Sequence, residues 1–355
     1  MNNRDMLLLC SNDYLGLANH PALRQAAFQA MERYGFGAGA SRLVSGTSAL
    51  HHALEERLAL FKGTEAALVF NSGYAANTGI IPAIVGTGDL ILSDSLNHAS
   101  IVDGCRLSKA QIKVYPHKDS TQVETLLKNN LQAKRKLIVT DGVFSMDGDI
   151  APLPDLVYLA EKYVAILMVD DAHGTGVMGK TGRGTVEHFG LSGRVQIQMG
   201  TLGKAFGSFG AYAAGSKELI DFLINCSRSL IYSTALPSAV CAASLAAIDI
   251  IEQEPERRER LWKNRNQLVN GLRSIGIGTG ASETPIIPVI IGDSGRALKA
   301  AEKLFEYGVY ATAIRPPTVP ADAARIRTTV SAAHSDADID FALYIFSGMK
   351  EEGYF

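Results

Sequence analysis

Residues 164–176 read Val164-Ala-Ile-Leu-Met-Val-Asp170-Asp-Ala-His173-Gly174-Thr-Gly176. An unbroken apolar run leads straight into Asp170. Such a run suits a strand buried on both faces, as in a parallel sheet covered by helices. The strand then ends on a carboxylate, an imidazole and glycines, which are groups able to do chemistry. The same grammar recurs on either side. Strands are expected at Ala67–Phe70, Leu90–Ser93, Ile112–Tyr115, Lys136–Thr140, Ala165–Asp170, Val195–Gly200 and Gly210–Ala214. Helical patterns intervene, as at Tyr74–Val85, Thr121–Leu131 and Leu153–Tyr163. This alternation implies an α/β fold, with a mainly parallel central sheet and helices on both faces.

After Pro237 the pattern changes. One long helical stretch is expected to run toward Ile275, through Glu254-Pro-Glu-Arg-Arg-Glu-Arg. Short strands follow at Ile286–Ile291, Tyr310–Ile314 and Arg325–Val330, with helices between and after them. The chain has 355 residues, more than the roughly 250–300 that one core serves. The expected organisation is an N-terminal segment (1–45), a large domain (46–250) and a smaller α+β C-terminal domain (251–355).

Composition narrows the function classes. Hydrophobic residues make up 47% and charged residues 20%, with a net charge of −2. That balance belongs to a globular protein and leaves no basic stripe for nucleic acid. No apolar run reaches the roughly 18 residues of a membrane helix. Met1–Asp5 lacks a signal-peptide pattern. Cys10, Cys105, Cys226 and Cys241 lie far apart with no CxxC. They read as reduced thiols of a cytoplasmic protein, with no metal site.

The segment Gly174–Gly179 matches GxGxxG, and extended to Thr181 it matches the phosphate loop GxxxxGK[ST]. Both mechanisms need a helix starting at the loop, because its free N–H groups hold the phosphates. Here the chain continues as Gly182-Arg-Gly184, which is poor helix material. Four residues, Asp170 to His173, also separate the strand from the first glycine. A nucleotide-binding protein using Lys180 is therefore the reading from a different class, and the weaker one.

The ends of the strands offer a better constellation, since ligands of open parallel sheets bind outside the carboxyl ends. Asp170 and His173 follow one strand. Lys204 follows another in Thr201-Leu-Gly-Lys204-Ala-Phe-Gly207. Ser145 follows Lys136–Thr140, His98 follows Leu90–Ser93, and Gly73 and Tyr74 open a helix after Ala67–Phe70. Pyridoxal 5'-phosphate (PLP) chemistry calls for this set. A lysine amine is needed to form the Schiff base. A carboxylate must pair with the pyridinium nitrogen, so that the ring withdraws electrons; Asp170 is the candidate. His173 can reach the ring oxygen, and His98 can stack on the ring face. Gly73 and Tyr74 offer helix N-terminal amides to the phosphate, and Thr201 a hydroxyl. Singly, each has a bland reading as a cap, a surface histidine or a solvated lysine. Asp170 and Lys204 on adjacent strands strengthen one another.

Several segments carry a resemblance: Ser11-Asn-Asp-Tyr-Leu-Gly16, Gly39-Ala-Ser-Arg-Leu-Val-Ser-Gly-Thr47, Val143-Phe-Ser-Met-Asp-Gly-Asp149, Val169–Gly176 and Ile231-Tyr-Ser-Thr234. Through them the chain resembles the α-oxoamine synthase family, of the fold-type I class of PLP enzymes, over nearly its whole length. Thr312-Ala-Ile-Arg-Pro-Pro-Thr-Val-Pro320 followed by Ala324-Arg-Ile-Arg327 most resembles the biotin-pathway branch. That branch condenses L-alanine with a pimeloyl thioester of coenzyme A or acyl carrier protein, with loss of CO2. Another branch, such as the one making 2-amino-3-ketobutyrate, is the alternative within the family.

The resemblance implies roles. Lys204 is the Schiff-base lysine and the base for the α-proton, with His98, Asp170 and His173 beside it in the catalytic set. Gly73, Tyr74, His98, Ser145, Asp170, His173, Thr201 and Lys204 hold the cofactor. Ser233 or Thr234 comes from the partner subunit of a homodimer with shared sites. Arg327 binds the substrate carboxylate, with Asn12 and Thr318 lining the same pocket. Two departures stand out. Family members usually carry some tens of residues ahead of the Asn-Asp-Tyr-Leu-Gly segment. Asp141 also stands where a glutamate is common.

Overall fold

A computed structural model describes residues 5–355. The chain divides into two compact units. The larger comprises Leu17–Phe144 and Ala151–Glu254. The smaller comprises residues 5–16, Ser145–Ile150 and residues 255–355. The expected N-terminal segment 1–45 is thus split between units at Gly16.

The larger unit is built on seven strands: β1 (Ala66–Phe70), β2 (Leu90–Asp94), β3 (Gln111–Tyr115), β4 (Lys136–Asp141), β5 (Ile166–Asp170), β6 (Ile197–Thr201) and β7 (Ala211–Gly215). They lie in the order β1-β7-β6-β5-β4-β2-β3. Only β7 runs against its neighbours, and the other pairs are parallel. Alternate residues feed two cores. Ile91, Leu137, Val139, Met168, Ile197 and Met199 belong to one, with Ile80, Ile81 and Ile101 from the helices Gly73–Ile84 and Ala99–Ser108. Leu90, Leu92, Ile138, Leu167 and Val169 belong to the other, with Val123, Leu127, Leu156 and Val157 from the helices Ser120–Lys128 and Leu153–Tyr163. A strand with an apolar core on each face cannot show polar alternation, which is why interior strands such as β2, β4 and β5 read as apolar runs.

The smaller unit holds an antiparallel sheet in the order Thr312–Ile314, Ala324–Thr329, Ile286–Gly292. Two corrections to the sequence reading fall here. The strand expected over Tyr310–Ile314 is two: Val309–Tyr310 pairs with Leu7–Leu8, and Thr312–Ile314 pairs with Ala324–Thr329. The long helix expected toward Ile275 is also two, Ser238–Gln253 and Glu256–Ser274. Pro255 breaks it. Its ring disfavours helical backbone at the preceding residue, and Glu254 sits at φ −118°, ψ 64°.

Candidate active site

Strand register sets the centre of the larger unit's site. Asp141 and Asp170 are direct partners at the ends of β4 and β5. Both are buried. Asp170 accepts from Asn77 Nδ2 at 2.7 Å and from the Ala172 backbone N–H at 3.1 Å. Beyond it, His173 Nε2 lies 3.0 Å from Lys204 Nζ. His98 caps the helix Ala99–Ser108, and its backbone N–H donates to Asp141 Oδ2 at 2.7 Å. Burial lowers the His98 pKa; Asp170 opposes that shift and Lys204 adds to it. Burial, reinforced by Asp170, holds the Asp141 carboxyl well above the usual range. Asp170, His173, Lys204 and His98 therefore act on one another within one unit.

The helix Gly73–Ile84 opens beside them. Ser72 caps it, its side chain taking the Ala75 N–H at 3.1 Å and its carbonyl the Ala76 N–H at 2.9 Å. The amides of Gly73 and Tyr74 have no intrahelical acceptor. A Cβ built on Gly73 meets nothing closer than Met199 at 3.8 Å, so the approach to these amides is open. The Tyr74 hydroxyl is turned to Asp103, at 2.7 Å. Thr201 donates its hydroxyl proton to the Gly210 carbonyl at 2.9 Å, so contact with a phosphate through that proton requires the hydroxyl to rotate. Thr234 is exposed and bridges to Ser41, and Ser233 lies half-buried beside it.

In the smaller unit, Arg327 donates from Nε to the Ser145 carbonyl at 2.6 Å and from Nη2 to Asn12 Oδ1 at 3.0 Å. It is only 6% exposed. Both partners are neutral oxygens. Tyr14 joins this group through Asn12 Oδ1 at 3.4 Å, and burial raises its pKa to about 12 against the pull of Arg327. Thr318 is exposed in a turn, its N–H on the Arg315 carbonyl at 3.0 Å.

The glycine loop has its own explanation. The Thr181 and Arg183 amides both donate to the Glu187 carboxylate, at 3.0 and 2.9 Å, as does the Thr181 hydroxyl at 2.8 Å. The Thr185 amide and hydroxyl donate to Asp171, at 3.0 and 2.8 Å. The anion positions of a phosphate loop are thus filled by the protein's own carboxylates. The helix that follows, Thr185–His188, is a single turn. The glycines exist to let this loop wrap Asp171. A Cβ on Gly174 or Gly184 comes within 2.0 or 1.7 Å of that carboxylate. Asp171 in turn pairs with Lys62 at 3.4 Å, both side chains fully buried. Sequence reasoning missed Lys62, Asn77 and Ser100. The available signal was polarity in apolar surroundings, as with Asn77 ahead of Thr-Gly-Ile-Ile.

The donor set fits a cofactor carrying an aldehyde, a pyridine nitrogen and a phosphate. It offers an amine at Lys204, a buried carboxylate at Asp170 and open helix N-terminal amides at Gly73 and Tyr74. Comparison with known proteins agrees. The chain matches the family model "Aminotransferase class I and II" over residues 4–345. It is 56% identical over 351 residues to 8-amino-7-oxononanoate synthase of Geobacter sulfurreducens, spanning 98% of this chain and 90% of that protein. It is 50% identical over 352 residues to 8-amino-7-oxononanoate synthase 1 of Bacillus subtilis, spanning 99% and 90%. Among solved structures, serine palmitoyltransferase from S. paucimobilis with a bound PLP–myriocin aldimine matches with a TM-score of 0.95 at 33% identity, over 98% of this chain and 88% of that one. The 8-amino-7-oxononanoate synthase from Francisella tularensis matches with a TM-score of 0.85 at 29% identity, over 99% of each chain. With its parallel sheet, its lysine and carboxylate on adjacent strand ends and these relatives along almost its full length, the chain belongs to the class I and II aminotransferase family, in the α-oxoamine synthase branch.

Proposed function

We propose that the chain is a PLP-dependent acyltransferase that joins L-alanine to a pimeloyl thioester with loss of CO2, the reaction of 8-amino-7-oxononanoate synthases in biotin formation. Identity of 56% over 98% of the chain to a curated protein of that name carries the reading. PLP, when bound, withdraws electrons from the amino acid's α-carbon.

The chain's own residues do the rest. Lys204 would hold the cofactor through its amine, and that amine, once freed by the incoming amino acid, would take the α-proton. The His173 nitrogen at 3.0 Å offers that proton a neighbouring acceptor. Asp170 would pair with the pyridinium nitrogen and keep it protonated. His98 would stack on the cofactor ring and polarise the acyl carbonyl. Gly73, Tyr74 and Thr201 hold the phosphate, and Ser145 holds the ring. Arg327 takes a substrate carboxylate, with Asn12 and Thr318. A buried guanidinium whose partners are all neutral oxygens is short of an anion. The protein acts as a cytoplasmic homodimer, each subunit lending Ser233 or Thr234 to its partner's phosphate. No helix among the described residues is long and apolar enough to cross a membrane.

The deciding experiment is an absorbance spectrum of the protein with PLP, for wild type and Lys204→Ala, before and after L-alanine. A visible band lost in the variant and perturbed by alanine supports the reading. Its absence in wild type overturns it. A panel of amino acids and thioesters then separates the alanine branch from the branch making 2-amino-3-ketobutyrate.

A further inference from the structure

We propose that Asn77 and Ser100 are positioning residues, a hydrogen-bond relay from Asp170 to His98 that holds the His98 ring as its Nε2–H tautomer. The relay can be followed atom by atom. Asn77 is fully buried. Its Nδ2 lies 2.7 Å from Asp170 Oδ2 and 2.9 Å from Ser100 Oγ. A carboxylate only accepts, so this amide cannot be turned the other way without setting Oδ1 against Asp170. Both Asn77 N–H groups are then committed, one to Asp170 and one to Ser100.

Ser100 Oγ, having accepted from Asn77, keeps its own proton to give. Its neighbour is His98 Nδ1, at 2.7 Å. The Ser100 backbone N–H also points at Nδ1, at 3.2 Å. A backbone N–H can only donate, so a proton on Nδ1 faces another hydrogen there. Two donors converge on Nδ1, and the ring proton goes to Nε2. Burial keeps the ring neutral as well. Of the charged groups around it, Asp170 favours the cation and Lys204 disfavours it, while Asp141 is engaged by the His98 backbone N–H.

Asn77 Oδ1 has no hydrogen-bond partner among the described residues. A leucine of similar shape avoids that cost, and the buried face of the helix around Asn77 is otherwise apolar, with Ala76, Ile80 and Ile81 fully buried. A side chain that leaves one buried atom unpaired to place two donors is held there for the donors. The consequence is functional: His98 presents an N–H to the substrate side, acting as a hydrogen-bond donor and not as a base. What that donor serves rests on the acyl-transfer reading above; the tautomer itself does not.

The test is nitrogen-15 NMR of histidine-labelled protein, with and without PLP, the His98 signals being those lost in His98→Gln. In wild type the shifts are expected to show Nε2 protonated and Nδ1 bare, with or without cofactor. Ser100→Ala and Asn77→Leu each weaken the relay. Both are expected to lower the Nε2–H population and to cut kcat roughly tenfold, while the visible cofactor band at Lys204 persists. Ser100→Ala decides the matter alone if Asn77→Leu does not fold. Wild-type protein with its proton on Nδ1, or variants that keep the wild-type shifts, overturns the proposal. A protein with the expected tautomer but no cofactor band instead overturns the functional reading and leaves the relay standing.

Discussion

Arg327 is a full charge almost sealed from water, and its chemistry depends on shape. A guanidinium offers a planar fork that a carboxylate matches with two parallel bonds, and an ammonium offers a point charge. Arg327→Lys keeps the charge and loses the fork. A charged hydrogen bond is worth about 1.5–3 kcal/mol, so kcat/KM in steady-state assays is expected to fall roughly 10- to 100-fold. An unchanged value places the carboxylate elsewhere. Lys62 and Asp171 present the opposite case, a buried pair that is complete. Breaking such a pair from one side costs about 3–5 kcal/mol, because the other charge is stranded. Lys62→Met is expected to lose that much in urea unfolding. Lys62→Met with Asp171→Leu is expected to recover most of it, since neither charge then remains. Equal losses in the single and double variants contradict the account of the glycine loop as a wrapper for this pair.

At the level of elements, the helix Ala49–Lys62 ties its start to protonation. His51 closes a capping box with Ser48, whose backbone N–H donates to His51 Nδ1 at 3.1 Å. Nδ1 must stay bare for that bond. Burial, helped by Arg42, lowers the ring's pKa from 6.5 to about 4. Between those values the unfolded chain binds more protons than the folded one, so stability rises with pH across the window. The contribution is complete above 6.5 and lost as the pH falls toward 4. After allowance for screening it is about 1–2 kcal/mol. His51→Gln keeps an acceptor and removes the titration. Urea midpoints measured from pH 7 to 4 should fall less steeply in the variant, and parallel curves exclude His51 as the cause. The sequence was most legible for elements of this kind. Leu153–Tyr163 was read to the residue, because a proline starts it and its apolar spacing is regular. Strands β2, β4 and β5 were legible as apolar runs. The break at Pro255 was missed because the helical pattern is strong on both sides of it. Lys204 and Asp170 were readable because they stand at strand ends next to glycines and alanines. Asn77 and Ser100 act through partners on other elements, Asp170 and His98, and no spacing in one segment discloses that.

At the scale of the whole molecule, the larger unit exposes large apolar side chains on neighbouring segments. Val44 and Phe36 are each 79% exposed, Tyr232 is 70% exposed and Leu43 is 51% exposed. Leu43 and Val44 ride on the π-helical turn Arg42–Gly46, which packs against the helix Arg228–Ile231 just ahead of Tyr232. Isolated exposed apolar residues are ordinary, but several on adjoining segments mark an interface. Thr234, the residue proposed to serve a second copy, lies on the same stretch and is bridged to Ser41. Complementation separates a shared site from one within a single chain. Lys204→Ala and a Ser233→Ala, Thr234→Ala double variant are each expected to lose most activity. Unfolded, mixed and refolded together, half of the dimers are hybrids. In a shared-site dimer each hybrid has one site with both defects and one with none, so activity returns to about a quarter of wild type. In a dimer whose sites lie within single chains every site keeps one defect, and mixing restores nothing. Val44→Asp supplies the control: it charges the apolar patch without touching the site residues, and is expected to prevent recovery in the same mixture.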